Sequence, residues 1–148
     1  MRVADYMVKE VTTLDEDARL LDAALLIRRT GRRHIPIIDS DGKPIGIITD
    51  RDVSRMAPSM LGQITQEEYN AVFEKTPVTR AMTRDPMMVT PDTPIEEAVE
   101  ILHTKKIGAL LVVQGGMLAG ILTVTDMLGL LRELIHQSRK LAKKAGEE

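Results

Sequence analysis

One step in this chain occurs twice, and the repetition constrains the fold more than any other feature. Residues Gly46-Ile47-Ile48-Thr49-Asp50-Arg51-Asp52 return 74 positions later as Gly120-Ile121-Leu122-Thr123-Val124-Thr125-Asp126, both of the form Gly-apolar-apolar-Thr-x-x-Asp. Aligning Met7 with Met82 also aligns Asp17 with Asp92 and Ala23 with Ala98, with one residue lost in a turn before Gly120. The 148 residues therefore read as a half-domain written twice. Neither copy, at roughly 55 residues, buries enough surface to stand alone, so the two must share a core.

Each copy reads strand, helix, strand, strand, helix. The lead-ins are Val11 to Leu14 and Pro86 to Val89. The stripe Leu20, Ala23, Ala24, Ile27 recurs as Ile95, Ala98, Val99, Leu102, with the i, i+3, i+4, i+7 spacing of an amphipathic helix. Gly31 ends the first helix; Thr93, Pro94 and Glu96 read as N-cap, first helical residue and capping box of the second. The strands Ile35 to Ile38 and Ala109 to Val113 turn at Asp39-Ser40-Asp41-Gly42 and Gln114-Gly115-Gly116 into returning strands. Pro36 suits only an edge or a strand start. Thr65-Gln66-Glu67-Glu68 starts a short helix between the copies, with Tyr69, Val72 and Phe73 expected to pack across their junction. In the last helix Met127, Leu131, Leu134 and Ile135 carry an apolar face past its first-copy counterpart, toward the basic tail Arg139 to Lys144. That overrun predicts a self-association surface.

The repeated step suits a ribose phosphate. A buried strand delivers a hydroxyl to a helix start, where unpaired N–H groups and the dipole favour an anion. The Thr hydroxyl can donate to a phosphate oxygen, and a carboxylate can accept from two neighbouring ribose hydroxyls. The same residues are also ordinary helix caps.

Composition excludes much else. With 20 basic and 22 acidic residues the net charge is −2, which favours neither nucleic acid nor an acidic membrane. One Phe, two Tyr and no Trp leave no stacking platform for single strands. The chain lacks Cys, and His34, His103 and His136 share no ligand spacing, so no metal site is expected. No catalytic motif assembles: there is no phosphate-loop sequence, HExxH or supported Ser/His/Asp set. Without a signal peptide or spanning segment the sequence-level expectation is a soluble cytoplasmic protein, and the nine methionines read mainly as core filler.

The doubled element order, the strand Arg33-His34-Ile35-Pro36-Ile37-Ile38-Asp39 and the Gly-Ile-Ile-Thr-Asp-Arg-Asp step resemble a tandem pair of cystathionine beta-synthase (CBS) domains, a Bateman module. The segment around Glu67-Glu68-Tyr69-Asn70 is similar to the inter-repeat helix of bacterial acetoin-utilisation-type CBS proteins, here without their C-terminal regulatory domain. The resemblance implies an α+β, sandwich-like fold: two β-α-β-β-α repeats packed sheet to sheet about a pseudo-two-fold axis. The expected divisions are repeat one at 3–57, a helical insert at 58–77, repeat two at 78–133, and a helix extension with basic tail at 134–148.

The resemblance further implies a non-enzymatic regulatory module that needs no cofactor. It binds AMP, ADP, ATP or S-adenosylmethionine between the repeats, forms a disc-like homodimer and signals to an unknown partner protein. Carried over by residue, one site comprises Thr123, Asp126, Met7, Thr12, Arg32, Arg33 and His34. The other comprises Thr49, Arg51, Asp52, Met82, Met87, Ile107, Gly108 and Ala109. Asp would hold ribose and Thr phosphate, and Met82 and Met87 could lie beside adenine. Because Arg32-Arg33-His34 has no basic match at Ile107-Gly108-Ala109, the Asp126 site is expected to hold a phosphorylated ligand more tightly. The alternatives are a dimerising scaffold with vestigial sites and, more weakly, a fragment detached from an enzyme such as inosine monophosphate dehydrogenase.

Overall fold

The computed structural model describes residues 1–59 and 61–146. The first repeat runs β1 (Leu14–Asp15), α1 (Leu20–Thr30), β2 (His34–Ile38), β3 (Pro44–Thr49) and α2 (Asp50–Met56). Two helices and a strand follow, α3 (Gln66–Lys75), α4 (Val78–Ala81) and β4 (Thr83–Arg84). The second repeat runs β5 (Met88–Val89), α5 (Ile95–Lys105), β6 (Ala109–Gln114), β7 (Met117–Thr123) and α6 (Val124–Lys144). This is the α+β architecture the doubled pattern predicts, with two small sheets ordered β1-β2-β3-β4 and β5-β6-β7.

Alternation along the strands sorts the core. Ile35, Ile37 and Ile48 face α1, while Leu110, Val112 and Leu122 face α5. The intervening Ile47, Leu111 and Ile121 meet each other instead, so the sheets pack through their opposite faces. A side-chain period of two requires this, because consecutive strand residues point to opposite sides.

The lead-ins exchange partners. Val3 is fully buried in the core of repeat two, and Val78 in that of repeat one. Their backbone bonds repeat as well: the Val3 amide donates to the Thr93 carbonyl (2.9 Å) and Val78 to Ala18 (2.8 Å). Beyond these anchors each lead-in crosses between sheets. One passes from Val8, paired with Ile121, to Leu14, paired with Ile37; the other from Thr83, paired with Ile47, to Met88, paired with Leu111.

Local details depart from expectation in three places. Pro36 is fully buried in an interior strand; the two-residue β1 pairs only with Ile37 and Ile38, so no lead-in partner requires its missing N–H. The matching Leu111 does donate, to the Met87 carbonyl at 3.1 Å. α5 starts one residue late, with Pro94 as N-cap, because the Thr93 hydroxyl turns back to accept the Thr90 amide at 3.1 Å. The inter-repeat helix α3 forms with Thr65 capping the Glu68 amide at 3.0 Å, but Val72 and Phe73 pack on the repeat-one core alone.

Candidate functional site

Both Thr-x-x-Asp steps fold as reciprocal helix caps. Thr49 Oγ1 accepts the Asp52 amide (3.2 Å), and Asp52 Oδ2 accepts from the Thr49 amide (2.9 Å) and hydroxyl (3.1 Å). At the second step the corresponding distances are 3.3, 2.8 and 2.9 Å. The hydroxyl proton that could have reached a phosphate is thus committed to the carboxylate. What each step offers a ligand is the other carboxylate oxygen, with its lone pairs.

Those oxygens are unequal. Asp52 is 5% exposed and its Oδ1 lies 3.7 Å from Arg55 Nη1. Asp126 is half-buried, and among the described residues its Oδ1 has no hydrogen-bond or ion-pair partner. The outer face of α2, with Asp50, Arg51, Ser54 and Arg55, borders a shallow cavity of about 380 Å³.

The glycine that opens each step is where a lead-in crosses. A Cβ on Gly120 would lie 2.8 Å from Met7 Sδ and 2.9 Å from the Val8 carbonyl oxygen. A Cβ on Gly46 would press on Met82 Sδ and lie 2.9 Å from the Thr83 oxygen. Met7 therefore stands beside the Thr123 strand and Met82 beside the Thr49 strand, as grouped from the sequence. Met82 is 7% exposed, however, and its sulfur faces backbone, whereas Met87 is 39% exposed on the crossing segment. Thr12 lies on the other crossing segment, between Val8 and Leu14.

Strand register regroups the remaining residues. His34 pairs with Thr49, and Ala109 with Thr123. The hairpin within each repeat sets the first residue of one strand beside the last of the next, so Arg32, Arg33 and His34 accompany the Asp52 step. Ile107, Gly108 and Ala109 accompany Asp126. The sequence reading had assigned these two triplets the other way round. The imidazole of His34 also touches the opposite repeat, lying against Gly108. Burial lowers its pKa; Asp50 and Asp52 oppose that shift and Arg33 adds to it. No group of three or more His, Cys, Asp or Glu side chains among the described residues could hold a metal.

Against this geometry the comparisons are decisive about family. The model of the CBS domain matches residues 3–58 and 78–133. The chain belongs to the CBS domain family. A crystal structure of an acetoin utilization protein (AcuB) from Vibrio cholerae is 30% identical, with a TM-score of 0.78 over 95% of this chain and 96% of that one. The CBS domain pair of protein MJ0100, solved with 5'-methylthioadenosine and S-adenosyl-L-methionine, is 25% identical with a TM-score of 0.74, covering 90% and 97%. A CBS domain-containing protein of Dictyostelium discoideum is 28% identical over 90% of this chain and 93% of its own. The pair also aligns with part of larger enzymes: at 26% identity, 88% of this chain spans 24% of the homoserine O-acetyltransferase of Methanohalobium evestigatum. Among the described residues no helix is long and apolar enough to cross a membrane.

Proposed function

We propose that this CBS pair is a non-enzymatic regulatory module that binds an adenosine-containing ligand, AMP, ADP, ATP or S-adenosylmethionine, in the clefts beside its two Thr-x-x-Asp steps. The observation that carries the reading is the half-buried Asp126 carboxylate, one oxygen locked in the cap and the other free for ribose hydroxyls. The adenosine ligands held by the MJ0100 pair support that class.

The regrouped residues divide the work. The Asp52 cleft collects Arg32, Arg33, His34 and Arg51, and Arg forks match phosphate, so a charged phosphate is better matched there than in the Asp126 cleft. The Asp126 cleft, with Ile107, Gly108, Ala109 and Thr125 at the equivalent positions, lacks those cations and holds adenosine ligands, AMP included, mainly through the ribose. Met7 and Thr12 line the approach to the second cleft, and Met87 the approach to the first.

Assembly follows from the duplication, which provides an internal control. Val124, Leu128, Leu131 and Ile135 of α6 are 42%, 60%, 51% and 50% exposed. The first two correspond to Asp50 and Ser54 after the first step, so the fold itself does not demand apolar residues there. A second copy covering this face gives the homodimer; a partner protein then reads how ligand shifts the repeats. The alternative, a scaffold with vestigial clefts, draws on Asp52, which is buried and already faces Arg55.

A thermal-shift screen of AMP, ADP, ATP, S-adenosylmethionine and GTP separates the two. A sensor gains about 2.7 kcal/mol at a hundredfold excess over Kd; a scaffold melts at the same temperature with every ligand.

A further inference from the structure

His34 stands at the seam between the two clefts. Within its own hairpin it is in register with Thr49, and its charged neighbours are Asp50, Asp52 and Arg33. On its far side a Cβ at Gly108 would lie 2.5 Å from the imidazole Nε2 and 3.1 Å from Cε1. The ring edge therefore rests on the Gly108 main chain, with no room for a side chain between them. The Gly108 carbonyl in turn accepts the Val124 amide at 3.0 Å, and Val124 is the first residue of α6, immediately after Thr123. A contact chain thus runs from the Thr49–Asp52 step through His34 and Gly108 to the Thr123–Asp126 step.

The imidazole link is asymmetric. At the position of His34 the second repeat has Ala109, and at the position of Arg33 it has Gly108. No second imidazole reaches back; the two steps also meet through the buried side chains of Ile47 and Ile121, whereas His34 is the side chain that lies beside both Thr49 and Gly108.

The geometry points to His34 as the residue that couples occupancy of the Asp52 cleft to affinity at the Asp126 cleft. The inference rests on reading both clefts as ribose-phosphate sites. A ligand beside Thr49 and Asp52 meets the imidazole directly. Ring movement toward repeat two is transmitted to the Gly108 peptide, from which the first amide of α6 hangs; movement away relieves that contact. Either displacement alters the support of the Thr123–Asp126 cap. Linkage requires the reverse effect to be of equal size.

Calorimetric titration of AMP into four proteins tests this: wild type, Asp52→Ala, His34→Ala and the double variant. In wild type two AMP molecules bind, and the affinity for the Asp126 cleft with its neighbour filled differs about fivefold or more from the single-site affinity in Asp52→Ala. In the His34→Ala background the same comparison gives equal affinities. Should the alanine variant fail to fold by circular dichroism, His34→Asn carries the same comparison, since its side chain ends at the δ atoms, short of the place the ring Nε2 holds against Gly108. Two-site binding with an unchanged ratio in the His34 variant overturns the coupling alone. A single AMP per wild-type chain also overturns it, and no AMP binding at all overturns the ribose reading with it.

Discussion

Gly120→Ala tests how the lead-in exchange holds the clefts in shape. The added Cβ would lie 2.8 Å from Met7 Sδ and 2.9 Å from the Val8 carbonyl oxygen. The methionine end is flexible and can move. The carbonyl cannot, because it accepts the Ile121 amide at 3.0 Å while the Val8 amide donates to Ile121 at 2.9 Å. Relieving the contact therefore strains the bridge that ties the N-terminal segment to sheet two. Overpacking costs about 1–3 kcal/mol, against which alanine recovers about 0.5–1 kcal/mol of strand entropy. The net is a loss of roughly 0.5–2 kcal/mol, or about 1–8 °C in melting temperature for a chain of this size. Urea denaturation measures the loss, and hydrogen exchange at the Val8 and Ile121 amides locates it. Gly129→Ala is the control: beyond the helix's own backbone and its two chain neighbours, no atom lies within 4 Å of its Cβ position, so this helical site gains up to about 1 kcal/mol. Equal stability of Gly120→Ala and wild type, with unchanged exchange at Val8, would refute the reasoning.

Three further outcomes follow from the same contacts. Thr123→Ala removes the cap of α6 and lowers stability by about 0.5–2 kcal/mol in denaturant titration; a loss no larger than that of an exposed Thr→Ala control contradicts the capping geometry. The lowered pKa of His34, caused first by burial, means the unfolded chain takes up a proton before the folded one. Its contribution is complete above the ordinary value of 6.5, is lost as pH falls through that value, and levels off below the folded pKa. Urea titrations from about pH 8 to 5 should show that loss in wild type and a smaller one in His34→Gln, with parallel curves counting against it. Leu131→Glu places a charge in the exposed α6 face and should convert a dimer to monomer by light scattering without changing the fold; a dimer that survives it is built elsewhere.

The parts of the fold set by local chemistry were legible in the residues. Thr49, Thr65 and Thr123 cap the helices that follow them, Gly31 ends α1 at φ 72°, and both hairpins form where Gly-rich turns were read. The exchange of lead-ins came only with the family resemblance, which grouped Met7 with Thr123 and Met82 with Thr49; its anchors were not legible. They are Val3 and Val78, single residues in helical segments of three and four residues whose partners lie far along the chain, where periodicity has no purchase. Nor was the company of His34: its charge and the family resemblance suggested a site, but only strand register decides which step it joins. Lys106 adopts φ 53° where the first repeat has Gly31, so the same helix end was invisible in the second copy. The capping role and the ligand role of Thr-x-x-Asp use the same atoms, and sequence could not show that the Thr proton is already spent on the carboxylate.

The central claim is that a carboxylate held in a helix cap keeps one oxygen for a sugar. A crystal structure of the protein grown with AMP tests it most directly. The account predicts ribose hydroxyls on a carboxylate of a Thr-x-x-Asp step, with the Thr–Asp cap intact behind them. Nucleotide bound away from both Asp52 and Asp126, or either cap broken to admit it, would contradict the account.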